Sequence, residues 1–299
     1  MSSKRRLALA LGVSAVIVAV FAIALSLLGN TAKPALFGDK IGVVVVRGVI
    51  SDPAPTLKAL NKYRRDASVS AVVLRVDSPG GGVGASQEIY REIQRLKKVK
   101  PVVASMGGVA ASGGLYISVP CTKVVANPGT ITGSIGVILT IPELKQLFDK
   151  IGIRMQVVKS GELKATGQMD RPLSEEERAM LQRLSTDIYE QFLEHVSLAR
   201  NIPVGKVRAF ADGGVFSGQT ALQLGLVDQL GNFMDAVNLA ARLGGVRGEP
   251  QLVSPEDDLE GVLGRLLREE GRALVQGLLE GFHASGGPQY LYLPPSLGN

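Results

Sequence analysis

The sequence predicts an α/β fold of stacked βαβ units, in which helices surround a mainly parallel sheet. Short uninterrupted apolar runs, typical of strands buried on both faces, alternate with segments whose apolar residues recur at helical spacing. This alternation indicates parallel strands joined by crossover helices. Glycine supplies 36 of the 299 residues, about 12% where ~7% is ordinary. Four glycine-rich stretches follow apolar runs, which indicates tight turns or close backbone approach where strands end.

The individual elements can be assigned in order along the chain. The predicted strands are the apolar runs Ile41–Val46, Ala71–Val76, Val102–Ser105 and Met155–Val158. The predicted helices are Thr56–Arg65, Ser86–Lys97, a long helix from Ser174 to about Arg200, Val204–Phe210, Gly218–Leu224 and Asn232–Leu243. The long helix begins with a capping box, because Ser174 is followed three residues later by Glu177.

An uncharged stretch of 22 residues, Leu7 to Leu28, precedes these elements and is long enough to cross a hydrocarbon core of ~30 Å. Lys4, Arg5 and Arg6 lie before it, which predicts a cytoplasmic N-terminus over residues 1–6 and places the rest of the chain beyond the membrane. A cleaved signal peptide is the alternative, but its apolar core is usually only ~7–15 residues long. We therefore expect an uncleaved single-pass anchor over residues 7–28, followed by a linker over residues 29–40.

Composition excludes several classes of protein and site. Charged residues make up 20% of the chain and apolar residues 45%, a folded composition that excludes disorder and collagen-like repeats. The net charge of +6 falls to +3 without the three basic residues before the apolar stretch, so we expect no nucleic-acid partner. Cys121 is the single cysteine, which rules out an intrachain disulfide. His195 and His283 are the two histidines, too few for a multi-histidine zinc site, and we expect no metal or cofactor.

Two of the glycine-rich stretches suggest catalysis on a carbonyl group. Asp77–Gly82 lacks the pattern of a phosphate loop, but its backbone N–H groups could face an oxyanion; a plain turn is the alternative. Gly107–Tyr116 surrounds Ser112 with small residues at a predicted strand-to-helix turn. A serine there resembles a nucleophile elbow in its physics, since a helix N-terminus stabilises negative charge, although Ser112 would also serve as a plain N-cap.

A serine nucleophile needs a base, and the sequence offers a histidine and two lysines. His195 lies close to the apolar face of the long helix, which favours a structural role. A lysine can act as a base if burial lowers its pKa towards the working pH. Lys159 and Lys164 both follow the predicted strand Met155–Val158, and local sequence does not choose between them.

Four motifs in order strongly resemble the short bacterial form of signal peptide peptidase A, a family of serine–lysine proteases whose fold is similar to the Clp proteolytic subunit and the crotonases. The motifs are DSPGGG at Asp77–Gly82, AASGG at Ala110–Gly114, TGSIG at Thr132–Gly136 and KSGELK at Lys159–Lys164. The resemblance spans about Ile41 to Gly244. It implies a protease domain over residues 41–246. Residues 247–299 carry no matching motif, and we expect a helical and extended tail there whose role stays open.

The resemblance also implies a role for each matching position. Ser112 matches the nucleophile, Lys164 the general base and Ser134 the serine that orients that base. Gly81 matches a donor to the oxyanion through its N–H, with the N–H of Gly113 as the expected second donor. Implied partners are signal peptides left in the membrane after preprotein cleavage, the membrane itself, and further copies of the chain in ring- or dome-like assemblies with sites near subunit contacts.

The sequence leaves two other functions open. A crotonase-like acyl-CoA hydratase or isomerase would use similar glycine loops, but an exported domain would not meet coenzyme A. A membrane-anchored scaffold with a degenerate site is the non-enzymatic alternative, against which the complete set of Ser112, Ser134 and Lys164 argues. The apolar and arginine-bearing segment after Pro255 predicts either a packed or oligomer-contacting helix or a membrane-surface helix. We expect the extended segment Tyr290–Leu293 to occupy a substrate-like groove or a neighbouring subunit.

Overall fold

The computed structural model describes residues 40–255, together with the backbone of residues 289–291. Its strands are β1 Lys40–Ile50, β2 Val69–Gly82, β3 Val102–Ala111, β4 Lys123–Ala126, β5 Ile131–Gly133, β6 Val215–Ser217, β7 Gln229–Leu230, β8 Gln251–Val253 and β9 Gln289–Leu291. Its helices are α1 Ala54–Arg65, α2 Val83–Lys97, α3 Gly113–Ser118, α4 Lys145–Ile151, α5 Glu175–Arg200, α6 Val204–Arg208, α7 Gly218–Gln223 and α8 Phe233–Gly244, with a 3₁₀ turn at Glu162–Ala165.

The strands form one mixed sheet that is mainly parallel, as the sequence predicts. The main path runs β6-β5-β3-β2-β1-β8, while β4 pairs with β3 and β7, and β9 pairs with β2. The pairs β5–β6 and β2–β9 are antiparallel, and the other pairs among the described strands are parallel. The carboxyl ends of β2, β3 and β5 therefore meet at one edge of the sheet, which is where ligands bind in open α/β sheets.

Helices cover the sheet on both faces. The helix α8 packs on one face through Ala236, Val237 and Ala240, against strand residues such as Val73 and Val103. The other face carries a larger core, to which α1, α2, α3 and α5 contribute. The apolar runs of β2 and β3 are buried because helices cover both sides of these central strands.

Local sequence sets where the long helix begins. The Ser174 hydroxyl accepts a bond from Glu177 N at 3.2 Å, and the Glu177 carboxylate accepts one from Ser174 N at 2.9 Å. This reciprocal pair satisfies two backbone donors that the first turn leaves free, and it confirms the predicted capping box. The helix then runs to Arg200 and ends in left-handed backbone at Asn201.

Two predictions of local structure are wrong. The sequence predicts a loop at Gly80–Gly82, but this run is the end of β2, because β1 pairs with it on one side and β9 on the other. The sequence predicts a strand at Met155–Val158, but no strand forms there and the side chains of Met155, Val157 and Val158 are exposed. A strand needs a partner, and none of the described strands pairs with this segment.

The predicted anchor at residues 7–28 and the helical segment after Pro255 lie outside the described residues. In the ranges 40–255 and 289–291, no helix combines the length and apolar character that a membrane crossing requires.

Candidate active site

Ser112 lies between the end of β3 and the first residue of α3, in a strained backbone conformation. Its φ of 52° and ψ of −116° are unusual for a residue with a side chain. The conformation is held from both sides: Ser112 N donates to Gly133 O at 2.8 Å, and Ser112 O accepts from Tyr116 N at 2.8 Å. Small residues before and after the serine permit this sharp strand-to-helix turn, which the sequence predicts.

The Ser112 hydroxyl is buried and has no hydrogen-bond partner within the described residues. The residue as a whole is 1% exposed. A buried hydroxyl without a partner is costly, so each such group in a native protein needs an explanation, and a catalytic role is one of them. Burial, strain and the lack of a hydrogen-bond partner among the described residues make Ser112 a candidate catalytic residue.

Ser134 lies beside Ser112 because the two serines share a backbone connection. The carbonyl that accepts from Ser112 N belongs to Gly133, the residue directly before Ser134, and Ala111 pairs with Gly133 in the β3–β5 ladder. Ser134 is buried with φ of 51°, and its N–H donates to Gly214 O at 2.7 Å. The structure thus brings these two predicted residues together at the ends of neighbouring strands.

The two glycines predicted to bind an oxyanion also meet at this edge. A Cβ on Gly113 would lie only 3.2 Å from Gly81 N, so the backbones of the two residues are in close approach. A Cβ on Gly81 would lie 2.3 Å from Ile50 O, so no other residue type fits there. Gly81 and Gly113 therefore bring their backbones within a few ångströms of each other, next to Ser112.

The strand β9 lies directly along this site. Its backbone pairs antiparallel with β2, with Gly80 opposite Leu291, Gly81 opposite Tyr290 and Gly82 opposite Gln289. The expectation that the tail occupies a substrate-like groove agrees with this pairing, because an extended peptide commonly binds a protein by adding a strand to a sheet edge.

The structure does not join Lys164 to Ser112. Lys164 lies in the 3₁₀ turn Glu162–Ala165 with an exposed side chain, and no hydrogen bond connects it to the Ser112 hydroxyl.

The turn that carries Lys164 is anchored to the start of the long helix: Arg171 donates to Ala165 O at 3.2 Å and is ion-paired with Glu177. Hydrogen bonds from the Arg171 guanidinium and from Ser174 N lower the pKa of Glu177 to about 2. Lys159, the other lysine considered as a base, donates hydrogen bonds from its Nζ to the backbone carbonyl and the carboxylate of Glu162.

His195 has structural partners away from the Ser112 hydroxyl. Its Nδ1 is hydrogen-bonded to the Tyr116 hydroxyl, and its ring stacks on Tyr90 with centroids 4.8 Å apart. Burial lowers the pKa of His195, with a further contribution from the charge of Arg91. These contacts support the structural role expected from its place on the apolar face of α5.

Sequence reasoning missed Ser86, which the fold places against Gly113. Its hydroxyl is buried without a hydrogen-bond partner in the part of the chain that the structure describes, and a Cβ on Gly113 would lie 2.7 Å from it. A signal was present, because Ser86 precedes Ile89 and Ile93 by three and seven residues and so shares their buried helix face.

Comparisons with known proteins give the family. The model of peptidase family S49 matches residues 94–247. A Synechocystis protein named "Putative protease slr0021" is 47% identical over 209 residues, which are 69% of this chain and 75% of the relative. "Protease 4" of Haemophilus influenzae is 40% identical over 69% of this chain but only 35% of its own length. "Serine protease SPPA, chloroplastic" of Arabidopsis thaliana is 35% identical over 65% of this chain and 30% of its own. These matches confirm the resemblance drawn from the four motifs, and the chain belongs to peptidase family S49.

Proposed function

We propose that this peptidase is a membrane-anchored serine protease that hydrolyses peptide bonds with Ser112 as nucleophile and Lys164 as general base. The observation that carries the proposal is the Ser112 hydroxyl, buried and unpartnered among the described residues at a strained strand-to-helix turn beside the backbone of Gly81 and Gly113. That combination matches what acyl transfer requires: a held nucleophile and backbone donors next to it.

The proposed reaction follows from these positions. Neutral Lys164 takes the proton of Ser112 as the serine oxygen attacks the peptide carbonyl carbon. The negative carbonyl oxygen is stabilised by the N–H groups of Gly81 and Gly113, and the lysine then gives its proton to the leaving amine. Water, deprotonated by the same lysine, hydrolyses the acyl-enzyme and frees Ser112. Ser134 orients the lysine and takes no part in bond breaking.

We propose further that the lysine of each site comes from a neighbouring copy of the chain. Within the described part of one chain, Lys164 is exposed and the Ser112 hydroxyl has no partner. A base must be neutral to accept a proton, and burial in a subunit contact would favour the neutral form. The same region carries exposed large apolar side chains, namely Ile138, Leu147, Ile151, Ile153, Met155, Val157, Val158 and Met169. These side chains fall within residues 138–169, and a subunit contact made by that part of the chain would remove them from water.

Mixing two inactive variants tests both parts of this proposal. Ser112→Ala and Lys164→Ala should each abolish peptide hydrolysis, because nucleophile and base act as a unit. If sites form between chains, reassembly of an equal mixture should restore about one quarter of the sites, those that pair an intact serine with an intact lysine. A mixture that stays inactive would overturn the shared site. An active Lys164→Ala variant beside an inactive His195→Ala variant would overturn the base assignment.

We propose membrane-retained signal peptides as the substrate class, with the catalytic domain outside the cytoplasm. The support is the uncharged stretch at residues 7–28 with Lys4, Arg5 and Arg6 before it, and a relative from Enterococcus faecium that is named "Putative signal peptide peptidase SppA". Protease added to cells without an outer barrier should digest residues 29–299. Digestion only after lysis would contradict this topology.

Fluorophosphonate labelling separates the proposed protease from a crotonase-like enzyme or a scaffold. The reagent should label Ser112 in the wild-type protein, and the Ser112→Ala variant should remain unlabelled. An unlabelled wild-type protein would contradict a serine nucleophile.

A further inference from the structure

Ser86 lacks the hydrogen bond that a serine in a helix ordinarily makes. It lies in the first turn of α2, and its hydroxyl is fully buried without a partner among the described residues. A helical serine commonly donates to the carbonyl four residues earlier. Ser118 in α3 does so, donating to Gly114 O at 2.7 Å, while Ser86 does not. Within the described ranges, Ser86 and Ser112 are the two residues whose buried side-chain oxygen has no hydrogen-bond partner.

The position of Ser86 connects it with the proposed oxyanion donors. The point where a Cβ would stand on Gly113 lies 2.7 Å from Ser86 Oγ, 3.2 Å from Gly81 N and 3.2 Å from Gly80 Cα. The hydroxyl thus lies against Gly113, the residue after the proposed nucleophile, on the side where Gly113 approaches Gly81 N. A larger or missing side chain at position 86 would change how closely α3 approaches the end of β2.

We propose that Ser86 is a positioning residue for the oxyanion site, acting through Gly113 and Gly81. Its side chain sets the separation of the two backbone donors. Its unpaired hydroxyl is also free to turn its dipole towards negative charge as that charge forms, whereas a hydroxyl already bonded to a carbonyl is not. This inference rests on the proposed function, since it presupposes that Ser112 attacks a carbonyl beside these glycines.

Ser86→Ala should lose activity without losing stability. The variant removes a buried hydroxyl that has no partner in the described structure, so its Tm should equal or exceed that of the wild type. Its kcat should fall about tenfold with KM nearly unchanged, less than the ~10²–10³ expected for loss of a direct oxyanion donor. Ser118→Ala is the matched control: it removes a buried hydroxyl that does have a partner, so its Tm should fall.

Two inhibitors with the same peptide measure the oxyanion site directly in the full-length protein. A peptide aldehyde forms a tetrahedral adduct with a serine and places an oxyanion in the site, while the matching alcohol does not. Ser86→Ala should reduce the preference for the aldehyde over the alcohol about tenfold. This is a smaller reduction than the removal of a group that donates directly to the oxyanion would cause. Ser118→Ala should keep the wild-type preference.

The outcomes separate this inference from the proposed function. If wild-type protein prefers the aldehyde and Ser86→Ala keeps the full preference, the role of Ser86 is overturned while the nucleophile assignment stands. The role of Ser86 is likewise overturned if Ser86→Ala loses affinity for both ligands equally together with its Tm, because a merely structural residue behaves in that way. If the wild type itself shows no preference for the aldehyde, the nucleophile is wrong and the inference falls with it.

Discussion

At the scale of single residues, backbone strain is concentrated in the candidate site. Ser112, Ser134 and Asn201 are the non-glycine residues with positive φ in the described part of the chain. Asn201 ends a helix, where this conformation is ordinary. The two serines have no such explanation, and both lie where β3 and β5 end. Strain of this kind persists where the surrounding structure holds it in place, which agrees with a functional turn.

Replacing Ser112, the proposed nucleophile, by glycine should therefore stabilise the fold relative to alanine. Ser112→Ala keeps a Cβ in the strained conformation, while Ser112→Gly removes it at some cost in chain entropy. We expect the glycine variant to exceed the alanine variant by about 1 kcal/mol in unfolding free energy, measured by urea denaturation. Both should be inactive. A glycine variant that is less stable than the alanine variant would show that the turn is not strained.

His195 should make the unfolding free energy decrease as the pH becomes acidic. Burial first, and then the charge of Arg91, lower its pKa in the folded state below the ordinary 6.5. The unfolded chain therefore binds this proton first as pH falls, so the unfolding free energy should decrease below about pH 6.5. His195→Gln should remove that part of the decrease while retaining most activity at pH ~8, above the ordinary pKa of histidine. An identical pH dependence in both proteins would contradict the burial of a neutral ring.

Some residues of the candidate site can be located from the sequence and others cannot, for physical reasons. Small residues around Ser112 indicate a sharp turn locally, so its position follows from the sequence. The choice of Lys164 over Lys159 comes from the family resemblance alone, because both lysines lie in exposed backbone with no apolar periodicity. Ser86 was missed because its contact with Gly113 depends on how α2 and α3 pack, which neighbours in sequence do not reveal.

At the scale of elements, β9 and the end of β2 form the arrangement with the clearest functional meaning. The tail backbone pairs with Gly80–Gly82, the same run that contains a proposed oxyanion donor. A segment of the same chain that occupies this edge would compete with substrate, because tethering raises its effective concentration at the site. Substrates that pair over a longer stretch would have the advantage over short peptides.

Removing the tail strand should lower KM for a short peptide substrate without lowering kcat. Deletion of residues 286–299 tests this directly in steady-state assays. Tyr290→Pro in the full chain is a finer test, since proline removes one backbone donor from the paired strand, and Tyr290→Ala is its matched control with the backbone donor retained. Unchanged KM in both the deletion and the proline variant would mean that the pairing does not compete with substrate.

Elements that carry their own signals were predicted well, and those that need a distant partner were not. Capping residues and apolar spacing located α2, α5 and α8 to within three residues at each end. Met155–Val158 has strand-like composition but no partner among the described strands, and Gly80–Gly82 is extended only because β1 and β9 flank it. Whether a segment pairs as a strand depends on the neighbouring strands of the sheet, so neither segment's own sequence determines it.

At the scale of the whole molecule, the exposed apolar segment predicts that the chain works as an assembly. Val158 is 102% exposed and Val157 is also exposed, so a charge at position 158 cannot disturb the core of a single chain. We expect Val158→Asp to reduce oligomer mass in light scattering and to reduce activity, with helix content unchanged by circular dichroism. Leu198→Asp, at an exposed position on α5, is the matched control and should do neither. Full assembly and activity in Val158→Asp would remove this segment from the interface.

The bond between Ser134 N and Gly214 O has a consequence for the order in which the domain can form. It joins residues 80 positions apart, and the adjoining antiparallel pair β5–β6 spans a similar separation. Contacts of such long range form late, because the loop between them must first be closed. A chain still emerging from the ribosome has synthesised Ser112 and Ser134 well before the strand that holds the second serine in place. The backbone arrangement around Ser134 can therefore form only after the strand β6 has been synthesised and has paired with β5.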